Sequence, residues 1–216
     1  MTIKGIIFDL DGTLLYTLED LKNSTNYALK KLNQKERSIE EIRNFVGNGI
    51  KKLIERALGD KQELIDECLL IFLNHYKNNS LNNTKPYENI VDILIKLKNK
   101  GIKLAVLSNK IDIEVKKLVD YYFKNIFDIV LGETVQFPKK PNSKASEYII
   151  QKFNLKKEEV VFIGDSEVDI QTAENTEIKC LSVVWGYKDE TFLKEKGAQK
   201  IFKTPQELYN FIINYQ

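Results

Sequence analysis

The sequence predicts an α/β fold, a doubly wound parallel sheet interrupted after its first strand by an all-helical insertion. Three observations carry this. The run Ile3 to Phe8 is short, apolar and β-branched without polar alternation, as in a parallel strand buried on both faces. Beyond Pro86, short apolar runs alternate with amphipathic helical patterns, which implies parallel strands joined by covering helices. Between them, from Thr17 to about Asn79, the periodicity is helical throughout. The first strand cannot bury itself alone, so it joins the later sheet. Residues 1–15 and 84–216 then form the core, and 16–83 the insertion.

Each element has its own signal. Thr17-x-x-Asp20 resembles a capping box ahead of Leu18, Leu21, Ala28, Leu29 and Leu32. Ser38-x-x-Glu41 opens a second helix that ends near Val46, and Gly47-Asn48-Gly49 breaks the pattern. Ile50, Leu53, Ile54, Ala57 and Leu58 mark a third helix stopped by Gly59, and Leu64 to Tyr76 a fourth. The polar stretch Asn78 to Thr84 reads as a linker. After it come a helix from Ile90 to Leu97, a strand from Lys103 to Leu107 and a helical face from Ile111 to Tyr122. Asp128 to Leu131 is a short strand, Ser143 to Phe153 a helix, Val160 to Ile163 a strand, and Asp169 to Asn175 a short helix. Cys180 to Val184 is a further strand, Lys200 to Phe202 an edge strand, and Pro205 starts the last helix.

The chain of 216 residues is 43% hydrophobic and 30% charged, with a net charge of +2. Those values describe a globular protein, and the mixed charge gives no basis for binding nucleic acid or an anionic membrane. No stretch is long and apolar enough to span a bilayer, and the first apolar run lacks the basic start and small-residue cleavage site of a signal peptide. Cys68 and Cys180 sit in apolar patterns, as reduced core thiols of a cytoplasmic protein do.

Ligands of open parallel sheets bind beyond the carboxyl ends of the strands. Four such ends carry polar groups here. The first gives Asp9 and Asp11, whose spacing of two places both side chains on one face of extended backbone, followed by Gly12-Thr13. The strand from Lys103 ends in Ser108-Asn109, and Lys139-Lys140-Pro141 follows Asp128 to Leu131. The strand from Val160 ends in Gly164-Asp165-Ser166, with Asp169 four residues beyond Asp165. Clustered carboxylates need a cation, and oxygen-only ligands favour Mg²⁺. A lysine and a hydroxyl beside it suit a dianionic phosphoryl group, one carboxylate can act as nucleophile, and a second can move the proton.

These four segments, Asp9-Leu10-Asp11-Gly12-Thr13-Leu14, Ser108-Asn109, Lys140-Pro141 and Gly164-Asp165-Ser166-x-x-Asp169, resemble in order the motifs of the haloacid dehalogenase superfamily. Trp185-Gly186-Tyr187 and the helical insertion are similar to its phosphoglycolate-phosphatase-like branch. The resemblance implies a Rossmann-like core with the insertion as a cap over the site. It implies Asp9 as nucleophile and Asp11 as general acid and base, with Ser108, Asn109 and Lys140 on the phosphate. Mg²⁺ would be held by Asp9, the Asp11 carbonyl and Asp165, and Asp169 would orient Lys140 or a metal-bound water. The substrate would be a small phosphorylated metabolite such as 2-phosphoglycolate, cleaved through an aspartyl-phosphate. Tyr16, Glu133, Ser143 and Thr176-Glu177 depart from residues frequent in relatives, and none of them carries a chemical role.

Other readings stand beside these. A phosphosugar mutase of the β-phosphoglucomutase type or an inorganic pyrophosphatase would use the same chemistry, although the cap arginines of that mutase branch are missing. A dehalogenase would have no use for Asp11. A non-catalytic, phosphate-responsive regulator is the alternative from another class. Taken singly, Asp11-Gly12 is a turn, Ser108-Asn109 a helix cap, and Lys139 a rival to Lys140. Gly47-Asn48-Gly49 either separates two helices or dips toward substrate. His75 has no ligand partners and reads as structural.

Overall fold

A computed structural model describes residues 2–215. Among them the chain runs β1 (Gly5–Phe8), β2 (Leu15–Tyr16), α1 (Leu18–Lys31), α2 (Ile39–Phe45), α3 (Ile50–Leu58), α4 (Ile65–Asn79), β3 (Lys85–Pro86), α5 (Ile90–Asn99), β4 (Lys103–Ile111) and α6 (Asp112–Tyr122). It continues through β5 (Ile129–Glu133), α7 (Lys144–Phe153), β6 (Val160–Gly164), α8 (Glu167–Thr176), β7 (Lys179–Val183), α9 (Glu190–Glu195), β8 (Ile201–Phe202) and α10 (Pro205–Ile213). Two compact units result, one made of the residues up to Leu15 with those from Pro86 on, the other of Tyr16–Lys85.

The first unit is an α/β Rossmann-like core. Its six strands form one parallel sheet in the order β5-β4-β1-β6-β7-β8. β1 is central and wholly buried, which is why its four residues carry no polar alternation. Phe8 lies opposite Val106 of β4 and Ile163 of β6. The chain builds outward through β4 and β5 on one side, then crosses to β6, β7 and β8 on the other. The sheet therefore reverses at β1, and a crevice opens beyond its carboxyl end. Below it, Ile7, Leu107 and Phe162 of the sheet pack with Ile149 and Phe153 of α7. Burial of each such side chain contributes roughly 1.5–3 kcal/mol.

Three features differ from the sequence reading. β4 does not stop at Leu107. It runs through Ser108, Asn109 and Lys110, because pairing with β5 resumes at Ile111 and Glu133 beyond a register shift. The short helix α9 carries little apolar signal and is held at its start by the Asp189 carboxylate, which accepts from the Phe192 amide at 2.8 Å. β2 and β3 are two residues each, too short for any periodicity to show.

The second unit is helical. α1 buries Leu18, Leu21, Ala28 and Leu29, α3 buries Leu53, Ile54, Ala57 and Leu58, and α4 buries Cys68, Phe72 and Tyr76. Each set lies on one face at helical spacing. The Ser38 hydroxyl accepts from the Glu41 amide at 3.2 Å, and the Glu41 carboxylate accepts from the Ser38 amide at 2.8 Å, a complete capping box. Thr17 and Asp20 do not form one. Thr17 makes no side-chain cap bond, and the buried Asp20 carboxylate instead accepts from Asn83 and Thr84. Its donors are their backbone amides, the Asn83 side-chain amide and the Thr84 hydroxyl, at 2.8–3.0 Å. Part of the polar stretch read as a linker is thus fastened to α1. His75 Nδ1 lies 3.0 Å from the Ser24 hydroxyl, and its ring stacks on Tyr27 at 4.1 Å between centroids, a packing role. Both cysteines are free thiols, with Cys68 buried.

Candidate active site

The site grows from the end of β1. The Asp9 amide donates to the Ile163 carbonyl at 2.8 Å, so β1 stays paired with β6 one residue past Phe8. The chain then doubles back. The Leu10 carbonyl accepts from the Leu14 and Leu15 amides at 3.0 and 2.9 Å, and the Gly12 amide donates to the Leu15 carbonyl. Gly12 is required twice. Its φ of +89° suits glycine, and a Cβ there would lie 2.4 Å from the Asp165 carboxylate.

Asp165, at the end of β6, is held from two directions. The Thr13 hydroxyl donates to Oδ1 at 3.3 Å, and the Tyr187 amide donates to Oδ2 at 2.7 Å. The loop after β7 packs directly on this arrangement, with Trp185 Nε1 donating to the Thr13 carbonyl at 3.0 Å. A Cβ on Gly186 would meet both the Gly12 carbonyl and Asp165. Trp185-Gly186-Tyr187 therefore joins two of the sequence motifs physically, a part that similarity alone did not assign.

Lys140 reaches in from the loop after β5. Asn109 grips its backbone, accepting from the Lys140 amide at 2.7 Å and donating to its carbonyl at 3.2 Å. The amide of Asn109 is thus engaged in holding that loop. The Lys140 ammonium, buried, bridges Asp9 Oδ1 at 2.7 Å and Asp169 Oδ1 at 2.6 Å. The other Asp169 oxygen accepts from the Ser166 amide and hydroxyl at 3.1 and 2.7 Å, which fastens it in the first turn of α8. Lys139 pairs instead with Glu133 at 3.4 Å, and both side chains are about one-third exposed. Ser108 is buried, and its hydroxyl accepts from the Lys110 amide at 3.2 Å. Asp11 forms an ion pair with Lys110 at 3.0 Å.

Asp9, Asp165 and Asp169 are all buried and bring carboxylate oxygens within 4.8 Å of one another. Among the described residues Lys140 bridges two of them and no lysine or arginine pairs with Asp165, so three carboxylates face one ammonium. Burial pushes the Asp9 carboxyl up to about 7, against the pull of Lys140 and with repulsion from Asp169 and Asp11 adding to it. Burial, then repulsion from Asp9 and Asp169, holds Asp165 well above the usual carboxylate range despite the Tyr187 amide. Burial opposes the charge on Lys140, but Asp169 and Asp9 outweigh it and keep the ammonium protonated. With all three ionised, these carboxylates would leave a surplus of two negative charges on an oxygen-only donor set, which fits a divalent hard cation.

Gly47-Asn48-Gly49 belongs to the helical unit. Asn48 Oδ1 accepts from Arg56 at 2.8 Å, and Gly49, with a φ of 84°, precedes α3. Lys110 was missed in the sequence. Its signal is a lysine inside a buried parallel strand, hidden when that strand is ended at Leu107.

The Rossmann-like core and the buried carboxylates at its strand ends are the setting, and comparison with known proteins identifies the family. Residues 6–183 match the model of the haloacid dehalogenase-like hydrolases. The chain is 34% identical over 212 residues to a phosphoglycolate phosphatase of Colwellia psychrerythraea, covering 94% of each. It is 33% identical over 186 residues to one of Aquifex aeolicus, covering 86% of each. A solved structure from Lactobacillus delbrueckii subsp. bulgaricus superposes with a TM-score of 0.95 at 33% identity, covering 98% of this chain and 99% of that one. The chain belongs to the haloacid dehalogenase superfamily, in its phosphoglycolate-phosphatase-like branch, and is one of its phosphatases. The non-catalytic alternative gives way with that membership.

Proposed function

We propose that the protein is a Mg²⁺-dependent phosphomonoesterase that hydrolyses 2-phosphoglycolate or a close analogue through an aspartyl-phosphate on Asp9. The observation that carries this is the Lys140 bridge between Asp9 and Asp169 beside the cation-deficient Asp165. An Asp9 oxygen attacks phosphorus and the P–O ester bond breaks, while Asp11 gives its proton to the departing alkoxide. Asp11 then takes a proton from water, which attacks the acyl-phosphate and releases inorganic phosphate with Asp9 regenerated. Lys140 and Ser108 offset the charge of the transferring group, and Asn109 and Asp169 keep Lys140 in place. Asp9, the Asp11 carbonyl and Asp165 would hold Mg²⁺, which when bound neutralises phosphoryl charge.

The substrate follows from the names of the relatives in two bacteria, at 34% and 33% identity. Two free thiols fit a reducing cytoplasm. Among the described residues no helix is long and apolar enough to cross a membrane. The test is product release from 2-phosphoglycolate, pyrophosphate and β-glucose 1-phosphate, with Mg²⁺ and with EDTA. Metal-dependent preference for 2-phosphoglycolate is expected. Preference for pyrophosphate, or conversion of the sugar phosphate to its 6-isomer, transfers the assignment to the pyrophosphatase or mutase reading.

Metal binding should also be linked to pH. With the carboxyls of Asp9 and Asp165 raised, the metal-free folded chain binds more protons than the unfolded chain above the ordinary value of 3.8, over a window that for Asp9 closes at about 7. Their contribution to stability is present below that window and is lost as pH rises through it. A cation needs both groups ionised, so Mg²⁺ competes with those protons. At roughly pH 8, Mg²⁺ at a hundredfold its dissociation constant should add about 2–3 kcal/mol to stability, shrinking toward zero near pH 5. Thermal unfolding with Mg²⁺ and with EDTA at the two pH values measures this. Equal increments at both would contradict it.

A further inference from the structure

We infer that Trp185 is a positioning residue for metal binding. Its indole N–H ties together the two segments whose donors hold the Asp165 carboxylate in one orientation. The inference rests on Asp165 serving as a Mg²⁺ ligand. Trp185 follows directly on β7, where the Val184 amide still donates to the Phe202 carbonyl of β8 at 3.1 Å, so the loop starts from paired backbone.

Three consecutive residues of this loop meet the site in three different ways. The half-buried Trp185 ring donates from Nε1 to the Thr13 carbonyl at 3.0 Å. Gly186 comes so close that a Cβ there would collide with the Gly12 carbonyl and with Asp165 Oδ2. The Tyr187 amide donates to that same Asp165 oxygen at 2.7 Å. The turn after β1 supplies the donor to the other oxygen, the Thr13 hydroxyl on Oδ1 at 3.3 Å.

The distances assign the roles. A hydroxyl normally lies about 2.5–3.0 Å from its acceptor, so the Thr13 bond at 3.3 Å is weak and does not by itself keep Thr13 in place. The indole bond has the ordinary length for an N–H donor and acts on the backbone of that same residue. It closes a ring from Trp185 to Thr13, to Asp165, to Tyr187 and back along the chain. Within the ring each carboxylate oxygen is held by a different segment. A ligand oriented before the cation arrives loses less freedom on binding, and outer partners of this kind contribute about 10–100-fold in metal affinity. The competing account is packing, since a buried tryptophan N–H needs a partner in any case. A packing bond contributes to stability equally with and without the ion, whereas a positioning bond changes the dissociation constant.

The test follows thermal unfolding by far-ultraviolet circular dichroism, in EDTA and across a Mg²⁺ series at constant ionic strength. It compares wild type, Trp185→Phe, Thr13→Val, their double variant and Asp165→Asn. The EDTA midpoint reads stability, and its rise with Mg²⁺ reads the dissociation constant. Trp185→Phe should raise that constant about 10–100-fold. In the Thr13→Val background it should add less than it does alone, because the hydroxyl it aims is gone. A constant within about threefold of wild type, whatever the EDTA midpoint, leaves only packing and overturns the proposal. Full additivity with Thr13→Val overturns it as well. Asp165→Asn separates the two levels of the argument. If that variant binds Mg²⁺ as wild type does, the metal role of Asp165 fails and this proposal with it. If Asp165→Asn weakens binding and Trp185→Phe does not, only the role of Trp185 fails. Trp185 is the one tryptophan of the chain, so biosynthetic replacement by benzothienylalanine changes this position alone. That analogue exchanges N–H for sulfur in a ring of the same shape, and it gives the same reading if Trp185→Phe does not fold.

Discussion

Asp9→Asn is expected to lower turnover by at least about 10⁴-fold and to abolish acid-stable capture of a phosphorylated enzyme. The substitution keeps the shape of the side chain and an oxygen that accepts from the Lys140 ammonium, so the 2.7 Å contact can persist. It removes the negative charge that forms the acyl-phosphate, and an amide oxygen is a poor nucleophile. It also removes one of three crowded carboxylates, so stability in EDTA should be equal to or above wild type. Rapid quench with radiolabelled substrate and thermal unfolding together give the reading. Activity within tenfold of wild type, or label retained on the variant, would show that Asp9 is not the nucleophile.

Lys140→Met is expected to be severe for both activity and stability. The ammonium bridges two buried carboxylates at 2.7 and 2.6 Å, and its removal leaves Asp9, Asp165 and Asp169 without that counter-charge. Breaking a buried pair in this way costs about 3–5 kcal/mol. The carboxyls of Asp9 and Asp165, already raised and both pulled down by Lys140, respond by rising further, so the folded variant binds protons that the unfolded chain does not, and its deficit should narrow as pH falls. Loss of a preorganised charge on the transferring group should lower kcat/KM by about 10³-fold. Arginine should not substitute, because its planar fork does not fit between two carboxylates that close on a single nitrogen. Lys139→Met is the control. Its one-third-exposed pair with Glu133 at 3.4 Å should matter by less than about 1 kcal/mol and leave hydrolysis unchanged. Comparable effects from both lysines would undo the distinction.

Much of the core was legible because buried parallel strands have a local signature. Apolar runs marked β1, β4 and β6, and the polar residues that broke those runs named Asp9, Ser108 and Asp165. The capping box of Ser38 and Glu41 was equally local and formed as its spacing implied. The similar pattern at Thr17 and Asp20 did not form, because the Asp20 carboxylate found donors at Asn83 and Thr84, more than sixty residues away. Lys110 escaped notice for a related reason. Its strand was extended by pairing with β5 across a register shift, and no run of apolar residues records that.

By itself, the sequence determined the alternation of strands and helices, the insertion after β1 and the set of side chains at the strand ends, since all of these depend on short-range periodicity. Tertiary structure alone decided which charges meet. Lys139 and Lys140 are neighbours of equal chemistry, and only the grip of Asn109 on the Lys140 backbone separates them. Lys140 then lies within 2.7 Å of an aspartate 131 residues away. Lys110 reaches Asp11, and Asp165 is left without a cation among the described residues. The physical reason is range. Periodicity is felt over a few residues of chain, whereas ion pairing and desolvation vary over ångströms of space and exist only once distant segments have packed.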